Sequence, residues 1–458
     1  MTTKLRVRPH IAGRTIGPLD KRKITTRCQP CANRRVKCDG GHPCERCVRT
    51  SKVCTPQWLK QTQVQFVHVS GQVFSSTIPP QVRKRDDTIY LDHFASFLQQ
   101  CHFSKDFTAT IADLATIIGK YPLLRHIAIA IGALDAGRKG ATRSFGKLDS
   151  PQQTAFRAYG RSIKDLYTAI STAGSVFKDD VFWSSFLHSL FELMAENSGN
   201  SFANHMVSGT SKVLVLLKPS HPLPLISKSL VGAFWILETN RAILFGDNTI
   251  LPNELQWNGM RESWPDPMKK IIMLMMQTST FAKRLFETIE SVSEELTSFD
   301  PRLDALALEG LCIKEGILNW QEECHPETSA VDSFTQLAAI VHHALLLYHC
   351  NNFTYYSCWM TRMIPQLNHS EVDEHVAEIL GLSQGLLSDT CIPAVLLLFP
   401  LRMAGVHVIE SHEQGKVLEI LRKIRQKGFV VSDRIEADLQ EFWHYKLGKS
   451  AQINESWF

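Results

Sequence analysis

The sequence predicts a small metal-stabilised module near the N-terminus, followed by a large all-α domain of packed helix pairs. Two observations support this prediction. Six cysteines fall between Cys28 and Cys54 in two triplets of identical spacing. From about Thr88 onward, apolar residues recur at helical spacing and strand-like alternation is scarce. The chain of 458 residues has room for a small module and one large or two ordinary domains.

The spacing C-x2-C-x6-C occurs twice, and the five residues Asp39 to Pro43 join the two copies. Residues three apart lie on one face of a helical turn, so each C-x2-C pair aims both sulfurs at one point. A zinc ion takes four ligands in a tetrahedron, commonly thiolates. Six thiolates supply two ions with four ligands each only if two of the sulfurs bridge. The pattern therefore predicts two zinc ions bound by Cys28, Cys31, Cys38, Cys44, Cys47 and Cys54.

Two other uses of these cysteines remain open from the spacing. A single four-cysteine zinc site would use Cys28, Cys31, Cys44 and Cys47 and leave the last cysteine of each triplet idle. A secreted disulfide scaffold would pair the six thiols. The N-terminal sequence MTTKLRVRPHIAGRT has no apolar segment typical of a signal peptide, which favours reduced thiols and metal binding.

The run CQPCANRRVKCDGGHPCERCVRTSKVC, residues 28–54, resembles the fungal binuclear zinc-cluster (Zn2Cys6) transcription factors. The resemblance implies that Cys28 and Cys44 are the bridging thiolates. It also implies that the basic run before Cys38 enters the DNA major groove and reads CGG-like triplets. Pro43 fits the proline that the family usually has between the triplets. Ala32 departs from the family, which usually has Arg or Lys there, so one basic contact is missing.

Seven cations are the candidate DNA-binding residues. We expect three of them to specify bases, namely Arg34, Arg35 and Lys37. We expect the other four to contact phosphates and so position the module, namely Arg27, Arg46, Arg49 and Lys52.

The charge distribution also favours a polyanionic partner. Residues 1–60 contain fifteen Lys or Arg against three acids, a net charge of +12. The whole chain carries only +5, so residues 61–458 carry −7. Such a cationic segment is typical of nucleic-acid binding, whereas the acidic remainder is not. No apolar run approaches the roughly 20 residues that span a bilayer, so no membrane partner is expected.

Four segments follow from these patterns. Residues 1–24 are predicted to be a disordered basic arm, residues 25–56 the zinc-cluster DNA-binding domain, and residues 57–87 a linker. The linker has no heptad repeat, so it predicts no coiled coil. Residues 88–458 are predicted to form the all-α regulatory domain. A homodimer would then form through this helical domain.

Amphipathic stripes indicate the helices of that domain. Trp183, Phe186, Leu187, Leu190, Phe191 and Met194 mark one apolar face. Ala155, Tyr159, Ile163, Leu166 and Ile170 mark a second. Residues 121–137, 155–171 and 191–217 are similar to the fungal-specific transcription factor domain, the large regulatory region of the zinc-cluster proteins. Helix-pair cores explain these segments equally well.

The predicted function is that of a nuclear, sequence-specific DNA-binding regulator of genes transcribed by RNA polymerase II, acting with the transcription machinery. Alternatives are a zinc-stabilised protein- or RNA-interaction protein without sequence-specific DNA binding, and an enzyme housed in the helical domain. No catalytic motif stands in a convincing setting, so no enzyme is expected. The histidine-rich run VHHALLLYHC, residues 341–350, is more typical of buried or surface polar residues than of a metal site.

Overall fold

The structure is a computed structural model, and it describes the chain in thirteen segments. They are residues 28, 30–31, 43–54, 80–104, 107–140, 150–171, 179–210, 225–247, 249, 266–293, 299–324, 332–354 and 356–455. Contacts within the chain divide it into two compact units, with the main boundary between Pro80 and Gln81.

Fifteen α-helices account for the regular structure of the described residues, together with short 3-10 and π turns, and no strand occurs among these residues. In chain order the helices are α1 Glu45–Arg49, α2 Pro80–Leu98, α3 Phe107–Ile118, α4 Pro122–Arg138, α5 Pro151–Ser171, α6 Asp179–Ala195, α7 Asn200–His205, α8 Leu225–Phe245, α9 Asp266–Ser291, α10 Pro301–Cys324, α11 Ser333–Asn351, α12 His369–Asp389, α13 Leu398–His407, α14 Ser411–Gln426 and α15 Ser432–Glu455. The predicted fold class, a small cysteine-rich module and a large all-α domain, is confirmed.

Many helices pack against the next one or two helices along the chain. Helix α4 lies against both α5 and α6, α9 against α10 and α11, and α11 against α12 and α13. Helix α14 packs on α15 in the same way. Local signals set several helix starts: the Asn368 side chain caps α12 in a capping box with Glu371, and the Asp332 carboxylate caps α11.

Helix α2 begins inside the predicted linker. Residues 80–87 belong to the linker by sequence because Pro79 and Pro80 are typical of loops, but these eight positions are helical. Proline suits the first turn of a helix, because its fixed φ fits the helix and the amide it lacks has no intrahelical partner there. Pro80 therefore marks the start of a helix rather than a stretch of loop.

Helix α6 is buried around its whole circumference. The expected apolar stripe is buried from Trp183 to Met194, but the opposite side, which a simple amphipathic helix would expose, is buried as well. Five polar residues lie on that side, namely Ser184, Ser185, His188, Ser189 and Glu192. A prediction of simple amphipathicity was therefore wrong for this helix, because the sequence period shows where apolar residues are and not how many neighbours surround them.

The stripe on α5 is buried only in part. Ala155 is fully buried and Tyr159 partly, whereas Ile163 and Ile170 are each more than 40% exposed. Tyr167, one turn before Ile170, is 75% exposed. Periodicity identified the face but not how far along α5 that face is covered.

Candidate metal centre

Four of the six predicted zinc ligands converge. Cys28, Cys31, Cys44 and Cys47 are buried, and their Sγ atoms all lie within 4.8 Å of one another. The Sγ of Cys28 is 3.6 Å from that of Cys44 and 3.5 Å from that of Cys47, and the Sγ atoms of Cys31 and Cys44 are 3.7 Å apart. These distances exceed the roughly 2 Å of a disulfide, so the thiols are not paired as a disulfide scaffold requires.

The sulfur distances fit tetrahedral zinc. A Zn–S bond of about 2.3 Å in tetrahedral geometry places neighbouring sulfurs about 3.8 Å apart. A thiolate set is also the donor set that zinc prefers in structural sites. The described cysteines therefore fit zinc in number, type and spacing.

Helix α1 positions the second triplet. Cys44 is its N-cap residue, and its Sγ accepts a hydrogen bond from the backbone N–H of Cys47 at 3.4 Å. One helical turn then places Cys44 and Cys47 on the same side of α1, as the C-x2-C spacing predicts.

The chain after α1 turns back toward its start. Thr50 bonds to the carbonyl of Arg46 through both its amide and its hydroxyl, and Ser51 has a left-handed φ of 48°. The amide of Lys52 then reaches the carbonyl of Cys47 at 3.0 Å. This turn brings the Sγ of Cys54 to 3.3 Å from the backbone amide of Cys44, which donates to it. Cys54 is thus the fifth predicted ligand beside the cluster, while Cys38 lies outside the described residues.

The four converging thiols differ in pKa, which is lowered for one of them and raised for the other three. The N–H of Cys47 donates to the Cys44 sulfur and lowers the pKa of Cys44 to about 6. Burial raises the pKa of Cys28, Cys31 and Cys47 above the usual range of a thiol. A buried thiol that is protonated in this way must release its proton to bind zinc. Metal binding and proton release are therefore coupled.

Three of the predicted phosphate-binding cations stand beside the cysteines. Arg46 and Arg49 belong to α1, Lys52 follows it, and all three side chains are exposed. Within the described part of the chain, none of the three forms an ion pair with an acid. Arg27, Arg34, Arg35 and Lys37 lie outside the described residues, so the predicted base-reading run is not placed.

Two histidines of α11 contact other protein groups. His342 is buried against the Trp320 ring, with centroids 5.0 Å apart, and His349 donates from Nε2 to the carbonyl of Gly310 at 2.8 Å. Among the described residues, the four cysteines are the one group of three or more metal-ligating side chains close enough to share an ion.

The four converging cysteines are also those that a single four-cysteine site would use, so geometry alone leaves one or two ions open. Comparison with known families decides between them. The model of the fungal Zn(2)-Cys(6) binuclear cluster domain matches residues 26–63. The model of the fungal specific transcription factor domain matches residues 88–458.

The chain belongs to the fungal-specific transcription factor family. Its N-terminal module is a binuclear cluster domain, which binds two zinc ions. The resemblance in both parts of the sequence is thus confirmed, and the protein is a transcription regulator with a zinc cluster and a helical domain. Searches of curated proteins and of solved structures returned no match. Among the described residues, no helix is both long and apolar enough to cross a membrane.

Proposed function

We propose that this transcription factor binds double-stranded DNA in a sequence-specific way and reads CGG-like triplets through its zinc cluster. The observation that supports this most is the position of Arg46, Arg49 and Lys52. These exposed cations stand next to four converging thiols on a module with a strongly cationic sequence. Exposed cations beside a rigid metal core suit the phosphates of a duplex.

The roles of individual residues follow from this proposal. All six cysteines of residues 28–54 bind the two zinc ions, with Cys28 and Cys44 as the bridging thiolates. The short sulfur separation of 3.6 Å between these two cysteines is compatible with their sharing both ions. Arg34, Arg35 and Lys37 contact base edges, while Arg27, Arg46, Arg49 and Lys52 contact phosphates.

The cellular setting is part of the same proposal. A fungal transcription factor with this cluster works in the nucleus, on genes transcribed by RNA polymerase II, and contacts the transcription machinery. The helical domain, residues 88–458, provides the regulatory part and the contact between two copies of the chain.

Fluorescence anisotropy with the zinc-loaded full chain tests the proposal. The labelled probe is a duplex with two CGG triplets, and the competitors are unlabelled duplex, a duplex with scrambled triplets, and RNA of the same sequence. We expect CGG duplex to compete at least ten times better than the other two at 0.15 M salt, since specific sites usually exceed non-specific ones by far more. Equal competition by RNA would instead favour a zinc-stabilised RNA-binding protein.

A further inference from the structure

A buried polar cluster lies between α5, α6 and α7, outside everything attributed to the zinc module. Its centre is Glu192 on α6, which is 6% exposed. The hydroxyl of Tyr159 donates to Glu192 Oε1 at 2.6 Å, and His205 Nδ1 lies 3.3 Å from the same oxygen. His205 Nε2 is 3.3 Å from the Ser185 hydroxyl. We call Tyr159, Ser185, His188, Glu192 and His205 the Glu192 cluster.

Two atoms of this cluster lack a hydrogen-bond partner within the described part of the chain. They are Glu192 Oε2 and His188 Nε2, and both are buried. A buried polar group without a partner is costly, so each such group in a native protein requires an explanation, and a bound molecule is one. Sequence periodicity missed this site because His188 and Glu192, four residues apart on α6, look like a solvent-facing stripe.

Glu192 Oε2 and His188 Nε2 are both hydrogen-bond acceptors. A carboxylate oxygen can only accept while Glu192 is ionised. The imidazole Nδ1 of His188 lies 2.6 Å from the carbonyl oxygen of Ser184, which cannot donate, so Nδ1 carries the proton and Nε2 presents a lone pair. Burial lowers the pKa of His188 to about 3, which keeps the ring in this neutral form. A molecule that binds both atoms must therefore donate hydrogen bonds to them.

The surroundings favour a positively charged donor. No Lys or Arg pairs with Glu192 among the described residues, and His205 is its sole partner there that can carry a positive charge. Tyr159 bonds to the carboxylate through its hydroxyl, while its ring stacks on Phe191 with centroids 4.2 Å apart, and the rings of His188 and His205 stack 6.0 Å apart. A carboxylate oxygen and an imidazole lone pair suit an ammonium group, which carries a positive charge and three N–H donors.

The backbone beside the cluster is unusual as well. Residues 206–210 form a π turn directly after α7, and the Thr210 hydroxyl lies 3.1 Å from that of Ser185. Single π turns break the regular helical hydrogen bonding and occur often at functional sites. In this protein the turn follows His205 and brings a further hydroxyl to the cluster.

We propose that the Glu192 cluster is a binding site in the helical domain for a small molecule bearing a primary ammonium group. The ammonium donates to Glu192 Oε2 and His188 Nε2. This site is independent of DNA binding and gives the regulatory domain an effector of defined chemistry.

Thermal unfolding and calorimetric titration of the zinc-loaded full chain test the proposal. The probe is propylammonium chloride at up to tens of millimolar, because a four-atom ligand cannot bind tightly. Propanol, propionate and sodium chloride at matched ionic strength are the controls. We expect a saturable rise of the unfolding temperature with propylammonium alone. This comparison uses the unaltered chain and so does not depend on how a variant folds.

Variants locate the site. Glu192→Gln keeps the size of the side chain and removes its charge, and we expect propylammonium affinity to fall about tenfold or more, in line with a lost charged hydrogen bond. Glu378→Gln, at an exposed position of α12, is the matched control and should bind as the unaltered chain does. The proposal is overturned if propylammonium acts no differently from sodium chloride or propanol, or if Glu192→Gln binds it as well as Glu378→Gln does.

Discussion

At the scale of single residues, Cys44 is the position on which the cluster depends most. Its sulfur lies within 3.7 Å of those of Cys28 and Cys31 and accepts the amide of Cys47. We expect Cys44→Ala to lower the zinc content of the chain from two ions to one or none, because the bridging thiolate proposed at this position supplies a ligand to both. Elemental analysis of the purified protein measures this.

A matched control is Cys312→Ala, since Cys312 is exposed on α10 in the helical unit. That variant should keep two zinc ions. A Cys44→Ala protein that also kept two would show that this sulfur does not bridge.

The second residue-scale prediction separates base readout from phosphate contact. Arg35→Ala should cost about 1–3 kcal/mol on the preferred duplex and relax the preference at one triplet. Lys52 is exposed beside α1, and Lys52→Ala should weaken all duplexes by a similar factor while reducing the salt dependence of binding. Binding to a library of triplet variants at two salt concentrations measures both effects. A changed sequence preference in Lys52→Ala, with none in Arg35→Ala, would reverse the assignment.

At the scale of helices, the crossing of α2 and α4 depends on Gly132. A Cβ at this position would lie 1.8 Å from the carbonyl oxygen of Tyr90 and 3.0 Å from the amide of Phe94. Backbone atoms cannot move aside as a side chain can, so Gly132→Ala should destabilise the helical domain by about 3 kcal/mol or more. Urea unfolding followed by circular dichroism measures the loss.

Gly381→Ala is the control for that prediction. Gly381 lies within α12, and nothing lies within 4 Å of the Cβ it lacks. Because alanine favours helix over glycine, this variant should be neutral or more stable by up to about 1 kcal/mol. Equal destabilisation by the two variants would mean that α2 and α4 do not approach this closely.

Buried histidines make the stability of the helices depend on pH. Burial lowers the pKa of His188 and of His342 to about 3, and that of His349 to about 4, from an ordinary value of 6.5. Below pH 6.5 the unfolded chain therefore binds more protons than the folded chain, so stability falls as the pH falls toward 4. Each histidine contributes about 1.4 kcal/mol per pH unit in this window.

Urea unfolding at pH 7.5 and pH 5.5, followed by the helical signal, checks this slope. His349→Gln keeps a donor for the carbonyl of Gly310 and should flatten the pH dependence, whereas His412→Gln, at an exposed position of α14, should not change it. A pH-independent free energy of unfolding in the unaltered chain would contradict the argument.

Much of the zinc centre and the class of the helical domain could be predicted because both depend on local spacing. The C-x2-C period alone places Cys44 and Cys47 on one side of a turn, and apolar periods alone identify helices. The burial of Glu192 and the exposure of Ile163 could not be predicted in this way. Both depend on which helices lie alongside, and that is set by contacts between residues far apart in the chain.

At the scale of the whole molecule, we propose that the zinc module reads DNA and that the helical domain pairs two copies of the chain. The base-reading run proposed for one zinc cluster is short, and Ala32 stands where the family usually has a basic residue. The predicted linker contains no heptad repeat, so two copies of the chain should meet through their helical domains. In such a dimer, two modules would bind paired triplets through effective concentration.

A fragment of residues 1–79 isolates the module, and it ends there because α2 begins at Pro80. We expect this fragment to be monomeric in sedimentation and to bind one triplet about as well as two. The full chain should be dimeric and should bind paired triplets about a hundredfold or more tighter than a single triplet, because the second module binds intramolecularly. The sequence predicts a linker after the zinc module, and about 25 linker residues would reach tens of ångströms, so several half-site spacings should be accepted. A dimeric fragment, or a full chain that prefers one fixed spacing, would place the dimer contact between Cys54 and Pro80 rather than in the helices.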